Sequence, residues 1–563
     1  MPVTVSGSGL TIEELVQVAR EGVEVEIADK PLSRIERARE DLEDRIESGE
    51  TMYGINTGFG AFQDQKISDE QIKNLQKNLI RSHTFGVGAY SEEDKVRAMM
   101  LLRMNSLLSG RSGVRSKVVE MLRDMLNAGV HPRVPKKGSA SATGDLAPLS
   151  HMALVMMGQG EAKVNDEVIP AETALDQAGY GDPLSLEAKE GLALVNGTNY
   201  ITGIGALAVH DAEVLVDTAD VIGGLTLEGT AGIEDAFYEE IHKYRNQEGQ
   251  KKSATRILNL IEGSDLVTSS AESGDQQDEY SLRCMPQVHG ATRDVIEYVR
   301  GIIEREMNAV TDNPLILEDG RVVSGGNFHG QPVALALDSL SIAVAELANI
   351  SERRLFNLVA GESEQSVSEY LASELEAVDA GDKKPEEALE SMRRRIEEVD
   401  QGEASIDDAV KSFTDEITDS DQLPPFLVEG DEPGLNSGFM IPQVTAAALV
   451  SENKTLVHPA SSDSIPTSDN QEDHVSMGAN AANHLVELIK NVRTVLGIEA
   501  FAAYQALGHR DQSPGEETKR IYNMLNDYVD FVAHDRVMLE DLNTIRGLMK
   551  NRELQLATLD EDT

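Results

Sequence analysis

The chain has 563 residues, with 98 acidic side chains against 50 basic ones, a net charge of −48 and one cysteine, Cys284. Acids spread along the whole chain repel nucleic acid and anionic membranes, which argues against a nucleic-acid-binding or membrane role. They suit a salty, reducing cytoplasm, where screening weakens self-repulsion, and a lone cysteine excludes an intrachain disulfide framework or a multi-cysteine metal cluster.

The opening MPVTVSGSGLTIEELVQ has no basic stretch followed by an apolar one, so no secretory leader is expected. No stretch is expected to approach the apolar run of roughly 18 residues that a membrane helix needs. A glycine-rich loop, YGINTGFG, occupies 53–60. Helices are predicted over 92–109 and 113–128 from apolar spacings of three and four. At 137–152 the chain reads KGSASATGDLAPLSHM, where small residues give way to a helix from Leu146. Asp145 is placed to cap that helix, and Pro148 is tolerable in its first turn. The stretches 201–223 and 330–360 are apolar nearly all round, as is 484–507, which predicts buried bundle helices. GRVVSGG at 320–326 predicts part of a short hairpin.

From 363 to 421 the chain is strongly acidic. Leu389, Met392, Ile396 and Val399 keep helical spacing, as do Ile406, Val410, Phe413 and Ile417, which favours a folded insertion over a disordered linker. The expected organisation is mainly α. A mixed N-terminal catalytic-loop domain (1–200) precedes a long central helical bundle (201–510) that carries the insertion, and a C-terminal helical segment follows (511–563).

Two readings fit the 137–152 stretch. One is a flexible loop ahead of a capped helix. In the other, residue 143 sits before the positive end of a helix dipole, and Gly144, lacking Cβ, lets its nitrogen approach the carbonyl of Ala142. Attack there, with loss of the Ala142 carbonyl oxygen and the Thr143 hydroxyl as two waters, makes a conjugated electrophilic ring. Elsewhere Gln277, Tyr280 and Arg283 lie three apart and share one side of a helix if it is continuous. Arg283 suits a bidentate grip on a carboxylate. Glu452 follows an Ala-rich helical run, either as a solvated carboxylate or facing a cavity. Pro442 could bend that helix. The histidines, among them His151, His329, His458 and His474, form no recognised metal-binding spacing, so no metal is expected.

Taken together, these motifs resemble the histidine/phenylalanine ammonia-lyase family. The family's Gly-Ser-x-x-Ala-Ser-Gly-Asp-Leu-Ala-Pro-Leu run matches from Gly138 to Leu149, with Thr143 in place of Ser. Other matches are YGINTGFG, KEGLALVNGT (189–198), QDEYSLRCMPQVHG (277–290), SGGNFHG (324–330), NSGFMIPQVTAAALVSENK (436–454) and NQEDHVSMG (470–478). The resemblance implies an aspartase/fumarase-like helical bundle and a methylidene-imidazolone formed autocatalytically from Ala142, Thr143 and Gly144, methyl-substituted if Thr143 cyclises. It implies Tyr53 as the base and Tyr280 as a further catalytic residue, with Asn196, Gln277, Arg283, Phe328 and Glu452 at the substrate. A phenol with an ordinary pKa of about 10 is a weak base, so Tyr53 needs positive charge or hydrogen bonds nearby. In NLIRSHTFGVG, His83 resembles the histidine-specific members, where lyases of phenylalanine and tyrosine carry leucine. The implied reaction is elimination of ammonia from L-histidine to urocanate, in a cytoplasmic homotetramer with shared active sites. Thr143 leaves open an enzyme of shifted substrate, an aminomutase included, or a paralogue that binds without cyclising.

Overall fold

The computed structural model describes residues 1–58, 65–273, 277–360 and 435–557. The acidic insertion expected at 363–421 lies outside them. The chain divides into two compact units, each assembled from separate segments. The first comprises Met1–Val216, Ala291–Glu346 and Ser451–Val492, and the second Asp217–Gly290, Leu347–Val450 and Arg493–Thr563. These divisions do not coincide with 200 and 510. Each falls inside a long helix: Asn199–Gly229, Met285–Met307, Gln331–Ala360, Met440–Leu456 or Gly478–Gly508.

In the first unit, local sequence sets the entry. Thr11 and Glu14 form a capping box, with Thr11 Oγ accepting from Glu14 N at 3.2 Å and Glu14 accepting from Thr11 N at 2.9 Å. The helix it opens, Ile12–Arg20, buries Ile12, Leu15 and Val18, each contributing about 1.5–3 kcal/mol of transfer free energy. The predicted 92–109 and 113–128 helices are Glu93–Leu108 and Ser116–Asn127. Glu93–Leu108 is buried nearly all round, so its polar groups need internal partners. Arg97 accordingly donates to the carbonyls of Val18 and Leu126. Short sheets surround these helices. Val87–Tyr90 pairs antiparallel with Pro135–Lys137, and Leu315–Ile316 with Val322–Val323, the hairpin expected near 320.

In the second unit, Leu227, Phe237, Ile257, Ile261 and Met285 form one buried cluster. The window within Gln331–Val359 has a mean hydropathy of 1.6, long and apolar enough to cross a membrane, and 72% of it is buried in the protein. This corrects the expectation that no stretch approaches that length, since Asp338, Ser339, Ser341 and Glu346 interrupt the run without lowering its average much, while its burial agrees with the bundle helix predicted over 330–360. Pro442 does not bend its helix. As the third residue of Met440–Leu456 it lies in the first turn, where its missing N–H has no intrahelical acceptor to lose.

Candidate active site

The stretch ahead of Leu146 is held from several sides. Ser141, at φ 51°, donates to Asp145 Oδ1 at 3.1 Å and accepts from Ala479 N at 3.1 Å. Its carbonyl accepts from Ser476 Oγ at 2.9 Å, and Met477 N donates to the Ala140 carbonyl at 3.0 Å. Gly144, at φ 73°, bridges in parallel to Gly197, whose carbonyl accepts from Asp145 N at 2.7 Å. A flexible loop is thereby excluded.

Asp145 does not cap its own helix. Its Oδ2 accepts from Tyr200 N at 2.9 Å and Ile201 N at 3.0 Å, the open end of Asn199–Gly229. Burial pushes this carboxyl up to about 7, against the opposing pull of those hydrogen bonds. The carboxyl thus ties the loop to the first turn of another helix.

Asn196 stands one residue before Gly197. Its Nδ2 donates to the Asn313 carbonyl at 2.8 Å, while its buried Oδ1 has no hydrogen-bond partner among the described residues. Asn313 Oδ1 accepts from Gly325 N at 2.6 Å, anchoring the loop that carries half-buried Phe328. The neighbouring His329 places Nε2 3.2 Å from the His474 carbonyl.

His474 belongs to the 470–478 segment, and here the structure brings in a carboxylate that the sequence reading left unassigned. Thr143 donates its hydroxyl to Glu472 in a very short hydrogen bond. The other oxygen of Glu472 accepts from Thr467 Oγ1 at 2.5 Å and Ser468 Oγ at 2.9 Å. Burial raises the Glu472 pKa, but these hydrogen bonds and the charge of nearby His83 outweigh it and hold the carboxyl below its ordinary value. His83 ends the Asp69–His83 helix, with Nδ1 2.9 Å from the Leu79 carbonyl. Facing a carbonyl, Nδ1 carries a hydrogen and donates it to Leu79.

Tyr53 is half-buried at the start of a turn packed on the same helix, where Gln76 Nε2 donates to the Gly54 carbonyl at 3.2 Å. Glu452 is placed differently. It is exposed on Met440–Leu456 and accepts from Asn491 Nδ2 at 3.0 Å.

The remaining candidates belong to the second unit. Gln277 lies in exposed coil, because the helix begins only at Tyr280, so it does not share a helical face with the other two. Tyr280 is 71% exposed, and the Arg283 guanidinium carbon lies 4.3 Å from its ring centroid. Arg283 Nε donates to the Asp278 carbonyl at 2.8 Å. Cys284, next to Arg283, is half-buried.

The long helices and the loop tied to them define a helical enzyme scaffold shared with solved structures. Histidine ammonia-lyase from Trypanosoma cruzi superposes with a TM-score of 0.81 at 36% identity, covering 100% of this chain and 96% of that one. Tyrosine aminomutase from Streptomyces globisporus gives 0.84 at 31% identity, covering 99% and 98%. The aromatic amino acid lyase profile matches residues 10–399 and 388–527, and the chain belongs to that family. Curated relatives include a histidine ammonia-lyase of Alkaliphilus metalliredigens, 44% identical over 98% of this chain and 97% of the relative. Another, from Streptococcus pyogenes, is 42% identical over 98% and 96%.

Proposed function

We propose that the protein is a histidine ammonia-lyase, eliminating ammonia from L-histidine to give trans-urocanate. The observation that carries this reading is the meeting of Thr143, Glu472 and His83. Beside a backbone held for ring closure stand a carboxylate and an imidazole that can both bond to an imidazole side chain. The 42–44% identity to curated histidine ammonia-lyases supports it.

The residues fit a ring made from Ala142, Thr143 and Gly144. A Cβ on Gly144 would stand 2.2 Å from the Gly197 oxygen, so the close backbone approach needs glycine, and the orphaned Asn196 Oδ1 lies next to Gly197 in the chain. When formed, the methylidene-imidazolone supplies the electrophile for the substrate's amine. With Thr143 as its source it carries an extra methyl group, which crowds it and donates electrons. Asn196 and Tyr280 support the amine end of the substrate. Arg283, with Gln277 beside it in sequence, holds the carboxylate, and Tyr53 takes the β-proton. Phe328 packs against the substrate. His83 reads the imidazole with a carboxylate, either Glu472 beside it in the same chain or Glu452, whose exposed position leaves it open to a site shared with another copy.

His83→Leu is expected to raise KM for histidine by about tenfold, from loss of a hydrogen bond at the imidazole. Urocanate absorbance followed in high salt measures it. Unchanged kinetics would remove His83 from recognition, and turnover of phenylalanine or tyrosine in preference to histidine by the unaltered protein would overturn the substrate.

We further infer a cytoplasmic homotetramer with shared active sites. Leu335, Ile342, Ile441 and Val444 are exposed on long helices, and Tyr280 is exposed beside Arg283. An apolar surface of this kind suits burial against further copies. Light scattering that returns a monomer would sink this assembly.

A further inference from the structure

The Tyr280–Arg283 turn is four residues long and follows coil, so its own hydrogen bonds cannot fix where its side chains point. It is held from beneath. Ser281 is buried, its carbonyl accepts from Arg354 Nη1 at 3.4 Å, and its hydroxyl accepts from Asn357 Nδ2 at 3.2 Å.

Arg354 is itself fully buried, and its remaining donors are spoken for. Nε and Nη2 reach the two oxygens of Glu499 at 2.5 and 2.9 Å, and Glu499 accepts again from Thr226 Oγ1 at 2.8 Å. Nη1 also faces His289 Nε2 at 3.5 Å, while His289 Nδ1 lies 2.8 Å from Asp220 Oδ1. Bonded to a carboxylate, Nδ1 carries the hydrogen and Nε2 turns its lone pair to the guanidinium. A planar fork clamped on one edge by a bidentate carboxylate has little freedom to rotate. Its third nitrogen therefore meets the Ser281 carbonyl from a fixed direction.

A buried ion pair is often replaceable by apolar residues at no cost in stability, so stability alone does not account for this one. We propose that Arg354 and Glu499 are positioning residues, which set the height and rotation of the Tyr280–Arg283 turn and so the grip of Arg283 on the substrate carboxylate. The inference rests on the reading of Arg283 as that grip.

Glu499→Gln keeps the volume and one acceptor but breaks the bidentate charge pair. The double change Arg354→Met with Glu499→Leu removes both charges together, so no unpaired charge is buried if the single variant does not fold. In a variant that melts cooperatively, KM for L-histidine is expected to rise about tenfold, the loss of one charge-assisted hydrogen bond. Histamine keeps the imidazole and amine but has no carboxylate, and its inhibition constant should stay within about twofold. An unchanged KM overturns the proposal, and so does a parallel weakening of histidine and histamine, which marks general loosening. Arg283→Gln separates the two levels: if it also leaves the histidine-to-histamine ratio unchanged, the carboxylate grip itself is wrong.

Discussion

Gly144→Ala is expected to leave the tryptic peptide containing Thr143 at full mass, whereas the unaltered protein is expected to yield that peptide lighter by two waters. The new Cβ would lie 2.2 Å from the Gly197 oxygen and 2.5 Å from its carbonyl carbon, both backbone atoms that cannot swing away. Residue 144 also sits at φ 73°, where an L side chain costs about 1–2 kcal/mol. Relief of either strain pulls residue 144 back from Gly197 and takes its nitrogen off the line to the Ala142 carbonyl. Activity on histidine should fall by at least about 10⁴-fold, since the electrophile never forms. A Gly144→Ala peptide that still lost two waters would show that the Gly197 contact does not govern ring closure.

The second large effect concerns the choice between two carboxylates. Glu472→Gln should lower kcat/KM on histidine by about 10³-fold, because Gln cannot hold a charge beside His83 and the substrate imidazole. Glu452→Gln should change it by less than about threefold if Glu452 keeps Asn491 as its partner and no other copy brings it to the substrate. The Thr143 peptide should be weighed in the same samples, so that failed ring formation is not mistaken for failed turnover. The opposite order of effects would return the imidazole-reading role to Glu452.

That choice shows how far sequence could be read. The bundle helices were readable because apolar residues recurring at three and four, or filling every face, leave a helix one way to be buried. The hairpin at Leu315–Val323 followed from its β-branched pair and glycines. The site divided differently. Residues whose role depends on local backbone, Gly144 above all, were visible in the chain itself. Those whose role depends on what lies opposite were not. Asp145 occupies the cap position of its own helix, yet its acceptors serve amides 55 and 56 positions away. Glu472 stood within NQEDHVSMG, a segment with no helical or strand pattern to say which way its acids point. Glu452 took its expected role from the family resemblance, its helical run leaving open whether it is solvated or faces a cavity. The bonds to Thr143, Thr467 and Ser468 are long-range or turn-specific facts that no spacing rule encodes.

The anchoring of Ala140 and Ser141 by Ser476, Met477 and Ala479 has a temporal consequence. Synthesis proceeds from the N-terminus, and about 330 residues must leave the ribosome after the loop before its clamps exist. A nascent chain stalled short of residue 479 holds every atom of Ala142, Thr143 and Gly144 and still lacks the frame that presses them together. Ring closure at Thr143, as proposed, would be deferred until the distant segment has docked. The electrophile proposed here would then serve as a receipt for correct folding, written only by a chain whose two far-separated stretches have met.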